Sequence, residues 1–204
     1  LPAADKMVVN EGDILKTGGE SSVIIRFDDG SMVKMGPLCK MSIGKMTGGA
    51  NEADTQLNVS VGKTWSRVHT LNKKSSFVVK TPTAIAGVRG TYYSSEVDND
   101  ETSMFDVFEG TVAVSPVSNP KNVTLVDANQ TTTVEMGKNP SKPAPIPQGK
   151  LEESKNGFSS TEFKAATYDI VVDINPKSIT PGAKAVVTVQ VMQSGAPLKQ
   201  EVRS

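Results

Sequence analysis

Phe77-Val78-Val79-Lys80-Thr81-Pro82-Thr83-Ala84-Ile85-Ala86-Gly87-Val88-Arg89-Gly90-Thr91 is the densest stretch of the chain. Phe77–Lys80 is an aromatic and β-branched run that suits a pleated strand. Pro82 then fixes φ and withdraws an amide donor, which sets a corner. Ala84, Ala86, Gly87 and Gly90 are small enough to let the backbones of neighbouring layers approach closely. Arg89 stands among these small residues, so it is expected to be partly buried and therefore paired, because an unpartnered buried guanidinium is costly. Glu109 is the expected partner, with Asp28 or Asp29 next. A structural role for Arg89 is expected ahead of contact with an anionic ligand.

Outward from this stretch one grammar repeats from residue 8 to about 136. Short runs rich in Val, Ile, Thr, Phe and Met alternate with polar residues and break at turn residues every 8–12 positions. Ser22–Phe27 and Met32–Met35 flank Asp28-Asp29-Gly30-Ser31, whose Asp-Gly step signals a tight corner. Further runs are Leu57–Val61, Trp65–His69, Thr91–Val97, Phe105–Phe108, Val112–Val114, Val123–Val126 and Thr131–Val134. Helical spacing is confined to Lys150–Ser154 and a turn around Asn51–Asp54. This pattern predicts an all-β fold, a sandwich, barrel or solenoid.

The composition narrows the function. Lys and Arg total 22 against 22 Asp and Glu in 204 residues, so no global field would concentrate the chain on nucleic acid or an anionic membrane. One cysteine, Cys39, cannot form an internal disulfide or a cysteine-based zinc cage, and reads as a buried small apolar residue. One histidine, His69, excludes multi-histidine metal sites. Apolar runs of four or five residues are too short to span a bilayer as a helix. The opening Leu1-Pro2-Ala3-Ala4 reads as a processed or trimmed end.

Near residue 138 the composition changes. Residues 139–147 hold four prolines and read, with 148–166, as a semi-rigid connector. Strand grammar resumes at Tyr168–Ile174 and Ala185–Val191, joined by Ile179-Thr180-Pro181-Gly182. These two strands resemble the opening of a bacterial immunoglobulin-like domain. Two strands cannot bury enough surface to stand alone. Either the domain is truncated or the strands add to another sheet, within the molecule or between two copies as a homodimer.

The quoted stretch resembles the hallmark of the FecR domain family, "F-x-V-x-T-P-x-A-V-A-G-V-R-G-T". Gly12-Asp13-Ile14-Leu15-Lys16-Thr17-Gly18, Phe27–Ser31, Val107-Phe108-Glu109-Gly110-Thr111-Val112 and Asp127-Ala128-Asn129-Gln130 resemble its other motifs, in the family's order. The resemblance spans roughly residues 8–147. It implies an exported domain of short strands, β-helix-like or a β-sandwich. In the family's namesake this module is the periplasmic part of an anti-sigma regulator that senses loading of an outer-membrane iron transporter. The expected layout is a FecR-like domain over 1–138, a linker over 139–166 and the start of an Ig-like domain over 167–204.

The expected function is a non-enzymatic binding or scaffold module of the bacterial envelope, in the periplasm, at the outer-membrane surface or outside the cell. Its expected partner is a protein or envelope glycan, with no nucleic acid and no cofactor. The alternative is the periplasmic sensor of a FecR-type transmembrane regulator that answers to a ligand-loaded receptor. The residues singled out are Thr81, Pro82, Ala86, Gly87, Val88, Arg89, Gly90, Thr91 and Glu109.

Other motifs favour bland readings. Gly62-Lys63-Thr64 lacks the upstream glycine and the helix of a phosphate-binding loop, and Gly87-Val88-Arg89-Gly90 lacks the helices of an RNA clamp. Asp98 and Asp100 could ligate calcium but read as a solvated hairpin tip. Met32, Met35, Met41 and Met46 read as core filler rather than a copper site. Trp65 reads as core, and His69 as a satisfied strand histidine.

Overall fold

The computed structural model describes residues 7–49, 52–69, 75–155, 157–158, 188–193 and 196–197. The chain is almost entirely β. A continuous sheet doubles back on itself to make two packed layers, which resolves the expected alternatives in favour of a sandwich. Every described pairing is antiparallel except one.

The first layer is built around β3 (Ser21–Arg26), β4 (Met32–Met35), β9 (Tyr92–Val97), β10 (Ser103–Glu109) and β13 (Gln130–Val134). The second contains β2 (Ile14–Lys16), β5 (Lys40–Gly49), β7 (Ser76–Lys80), β8 (Ala84–Val88), β11 (Thr111–Pro116) and β12 (Thr124–Asp127). One strand, β6 (Glu52–Arg67), belongs to both. Its first half pairs with β5 and runs parallel to β7, and its second half pairs with β4 and β9.

The switch occurs at Gly62, at φ 93. Before it Thr55, Leu57 and Val59 are buried; beyond it the buried positions are Thr64, Ser66 and Val68. The inward-pointing parity therefore flips from odd to even within one strand. With a side-chain period of two, such a flip moves every later residue to the other face. Trp65, expected in the core, consequently points outward and is only partly buried. The expected turn at Asn51–Asp54 is also corrected, since residues 52–54 already lie in β6. Thr55 and Leu57 supply the inward period there.

Other crossings between layers use the same chemistry. Gly90 (φ 74) carries the chain from β8 to β9, and Gly110 (φ 80) carries it from β10 to β11. The two corners touch, because a Cβ on Gly110 would sit 2.8 Å from the Gly90 carbonyl oxygen. The Asp28–Ser31 corner joins β3 to β4 as expected. Gly30 there has φ 85, and Asp29 accepts from the Ser31 amide at 2.8 Å and its hydroxyl at 2.9 Å.

Between the layers lie Ile25, Val33, Met35, Met41, Leu57, Val79, Ala86, Tyr93, Phe105, Val112 and Val126, all in one apolar cluster. Met35 and Met41 are fully buried, as expected of core filler. A second cluster, with Ile24, Met32, Tyr92 and Phe108, covers the outer face of the first layer.

That outer cluster is closed by the proline-rich segment. Ala144–Pro145 (β14) pairs with Gln130 and Thr131 on a sheet edge, where a missing amide is tolerated. Ile146 is buried, Leu151 of helix α1 (Gln148–Lys155) packs on the cluster, and Phe158 is buried at 6.1 Å from the Tyr92 ring. The stretch expected as a connector thus lies along the first layer as a strap. Helix α1 contains the expected Lys150–Ser154. Among the described residues no helix is long and apolar enough to cross a membrane.

Of the two C-terminal strands expected, Tyr168–Ile174 lies outside the described residues. The second appears as β15 (Thr188–Gln193), paired with β3 of the same chain over six residues and flanked by β1 (Met7–Val8) and β16 (Ala196–Pro197).

Gly62 tests this architecture. A side chain there would meet Cys39 Cα at 2.6 Å and the Leu38 carbonyl at 3.0 Å, on a backbone that disfavours L-residues. Gly62→Ala is expected to lower unfolding stability by about 2 kcal/mol or more. A urea midpoint within error of the unchanged chain would contradict the shared-strand bend.

Candidate functional site

The hallmark residues divide between two jobs. Thr81-Pro82-Thr83 closes the β7–β8 hairpin. The Thr81 amide donates to the Ala84 carbonyl at 2.9 Å, and the Ala84 amide donates back to Thr81 Oγ1 at 2.9 Å. Both threonines are buried and tied to the first layer. Ser103 Oγ donates to Thr81 Oγ1 at 2.7 Å, and Thr83 Oγ1 lies 2.6 Å from Ser103 Oγ and donates to the Val134 carbonyl at 2.9 Å. Buried hydroxyls that are bonded in this way hold the corner against the opposite sheet. Ala84, Ala86 and Val88 face inward, and Ala86 is fully buried.

Ile85, Gly87 and Arg89 face outward. The cross-strand register arranges this outer face of the second layer in rows. The middle row runs Gln56, Val78, Gly87, Ala113, Leu125 across β6, β7, β8, β11 and β12. To one side lie Asp54 and Ser76, then Arg89, then Thr111 and Asp127; to the other lie Asn58, Lys80, Ile85 and Ser115. Ser75, Ser76, Val78, Gly87, Arg89, Thr111, Ala113 and Leu125 line a shallow trench of about 340 Å³. Its apolar floor is aliphatic, and Leu125 is 61% exposed.

Arg89 departs from expectation. It is exposed at the trench rim, with a contact of its own. Glu109 instead meets Arg67, whose guanidinium nitrogens approach its carboxylate at 3.2 and 3.4 Å. Arg67 also stacks on Tyr92, 4.3 Å from the ring centroid. The reason is the parity switch at Gly62, which turns Arg67 outward beside Glu109 and Tyr92. Asp29 is engaged with Ser31.

The remaining candidates fall into structural roles. Gly62-Lys63-Thr64 sits mid-strand, with Thr64 Oγ1 buried 2.7 Å from Ser95 Oγ. The Asp98 carboxylate accepts from the amides of Asp100 at 3.0 Å and Thr102 at 2.8 Å, shaping a hairpin tip. Among the described residues no three His, Cys, Asp or Glu side chains gather as a metal site would require. His69 is exposed just past β6, its amide donating to Ser31 Oγ at 3.0 Å. Cys39 is buried, and desolvation pushes its thiol up to about 12. Tyr92 is likewise raised to about 12, chiefly by burial and against the opposing effect of Arg67; burial raises Tyr93 further still.

The family model described as FecR protein matches residues 13–113. Two crystal structures of a protein described as a "putative anti-sigma factor" from Parabacteroides distasonis ATCC 8503 share the fold, at TM-scores of 0.55 and 0.56 and 16% identity in each case. Each alignment covers 69% of this chain and 63% or 62% of the other, so the chain spans less than two thirds of those proteins. No curated protein matches the chain.

Two measurements check these placements. Arg89→Met is expected to leave stability within about 0.5 kcal/mol, the range for a surface change, and a cooperative loss of fold would contradict its exposed position. Cys39 is protonated in the folded chain well above its ordinary value of 9.0. Between about pH 9 and 12 the unfolded chain therefore binds fewer protons than the folded one, and stability falls as pH rises. A Cys39→Ala chain is expected to show a shallower decline in its urea midpoint over that window. Equal slopes would contradict the burial of the thiol.

Proposed function

Since residues 13–113 form a domain of the FecR family, we propose that this chain is the extracytoplasmic sensing module of a FecR-type anti-sigma regulator. It acts by binding a protein, and it has no catalytic task. The observation that carries the reading is the family match joined to a sandwich of the kind seen in the anti-sigma structures. Three features of the chain agree with it. The space between the layers is filled by apolar side chains rather than by a reactive cleft. The ionisable groups named above serve turns, hairpins and a surface ion pair. One sheet face is closed by the strap, whereas the other presents a trench, which suits recognition on a rigid scaffold.

A protein partner fits better than a glycan. Among the described residues the outward rows of the open face carry no aromatic ring on which a sugar could stack, since Phe77 beside the trench is buried, and the aliphatic Val78, Ala113 and Leu125 suit polypeptide. Export to the periplasm follows from the role, since the receptor state to be sensed lies there.

The test is transcriptional. Deleting residues 13–113 in frame in the native cell is expected to change a small set of genes that share one alternative sigma factor. An unchanged transcriptome, with the remaining protein still present in the envelope, would overturn the reading.

A further inference from the structure

We propose that the seat of the strap, on the outer face of the first layer and the edge of β13, is a binding surface in its own right. Its occupant is an extended partner segment that carries a lysine followed two residues later by an aliphatic side chain, and that displaces the strap. This surface is distinct from the open trench, and what it accepts does not depend on the chain being a sensor.

The strap covers this face without satisfying it. Register sets Trp65, Ser94, Asp106, Thr131 and Ala144 in one row across β6, β9, β10, β13 and β14. Three side-chain atoms of that row, Trp65 Nε1, Asp106 Oδ1 and Thr131 Oγ1, are buried and have no hydrogen-bond partner among the described residues. Asp106 is only 2% exposed. A buried carboxyl group that lacks a donor is costly, and the unpaired hydroxyl and indole beside it add to that cost. The strap brings Ala144 to the end of the row, and an alanine side chain offers no donor. Lys150 of α1 is directed elsewhere, its Nζ lying 3.8 Å from Met104 Sδ. The far end of the strap does better, since the Tyr92 hydroxyl meets the backbone of Gly157 and Phe158. Apolar contact therefore holds the strap in place, and the polar row beneath works against it.

The strap also pairs poorly with the edge it occupies. Of the five residues of β13, Gln130 and Thr131 are in register with β14. The Ser141 and Ile146 amides donate to the Thr133 and Asn129 carbonyls at 2.9 and 3.0 Å. Pro143 and Pro145 stand between them and have no amide to give. A proline-free strand laid on the same edge can make main-chain hydrogen bonds that the strap cannot. The row then selects one side chain of that strand. A lysine opposite Thr131, where the strap has Ala144, lies two strands from Asp106, about 10 Å at the usual spacing. That is within the combined reach of a lysine and an aspartate side chain. Its ammonium group carries three donors, enough for both Asp106 and Thr131. An aliphatic residue two positions further on takes the place of Ile146, which is buried in the outer apolar cluster.

The experiment titrates the full chain, isotope-labelled, with the acetylated peptide SKTKTITQGKLEESKNGF. This is the strap sequence 141–158 with threonine at its three prolines and lysine in place of Ala144. A control peptide carries glutamate at that position. The lysine peptide is expected to shift the Asp106 and Thr131 amides and to move the Ile146 and Leu151 signals of the chain's own strap to uncovered positions. The glutamate peptide is expected to bind at least tenfold more weakly. Ala144→Lys puts the cation on the chain's own strap, and is expected to raise the melting temperature and to weaken peptide binding tenfold or more. Asp106→Asn is expected to bring the affinities of the two peptides within threefold of each other. An undisturbed Ile146 signal at saturating peptide, equal binding of both peptides by the unchanged chain, or a melting temperature no higher in Ala144→Lys than in Ala144→Glu would each overturn the proposal. Ala144 is exposed, so its two variants decide the matter even where Asp106→Asn does not fold. Failure here leaves the sensor reading standing, since that reading is tested by the deletion of residues 13–113.

Discussion

The bend at Gly62 ties the two layers into one body. A strand of sixteen residues supplies a central member to each sheet, and it can do so only where the backbone adopts positive φ against the Leu38–Cys39 corner. Cys39 is buried at that contact, where a larger side chain would hold the corner away. The Gly90 and Gly110 corners make a second point of close approach, so the chain repeatedly passes between layers where glycine removes a Cβ. Core packing then follows from this geometry, with Leu57 and Val59 from the first half of β6 and Val68, just past its end, entering the same cluster.

The two outer faces differ because their outward residues differ. On the first layer these include Ile24, Met32, Trp65, Tyr92 and Phe108, whose exposure would cost about 1.5–3 kcal/mol for each fully exposed large apolar side chain. A cover is required, and the segment from Ala144 to Phe158 supplies it. The cover is well fitted at one point, as a side chain on Gly157 would run into the Trp65 indole. Among the described residues of helix α1, Leu151 is the apolar contact, so the strap owes its place chiefly to Ile146 and Phe158 at its ends. On the second layer the outward residues are small, aliphatic or polar. That face can stand in water without a cover.

Much of this was legible in the sequence, and the failures share a cause. Strand runs at Phe77–Lys80, Phe105–Phe108 and Thr131–Val134, the Asp-Gly corner, the helix around Lys150–Ser154 and the burial of Cys39 all follow from local propensity and turn chemistry. β5 and β8 were missed because Gly, Ala, Ser and Lys dilute their strand signal, and their pairing comes from neighbours. The sequence pattern splits β6 into two strands because its alternation changes parity at Gly62, and that same change turns Trp65 outward and sets Arg67 beside Glu109. The sequence marks the strap as a linker because proline composition reports extended backbone and says nothing of what lies beneath. Ile146 and Phe158, apolar residues within polar surroundings, were the available signal.

The candidate site shows why small residues in a strand are ambiguous in sequence. Ala86 and Gly87 are adjacent and similar in size, yet pleating sends them to opposite faces. Ala86 is fully buried, and its size is set by the opposing sheet. Gly87 faces outward, and nothing within the described chain sets its size. Sequence spacing cannot separate these cases until register fixes which parity is inward, and register here depends on the hairpin closed by Thr81 and Ala84. Once that hairpin is placed, Arg89 must share the face of Gly87, two residues along the strand. The grouping of Arg89 with Gly87 is then a consequence of the pleat rather than of any special local conformation, and the same pleat that packs Ala84, Ala86 and Val88 into the core turns Ile85, Gly87 and Arg89 outward.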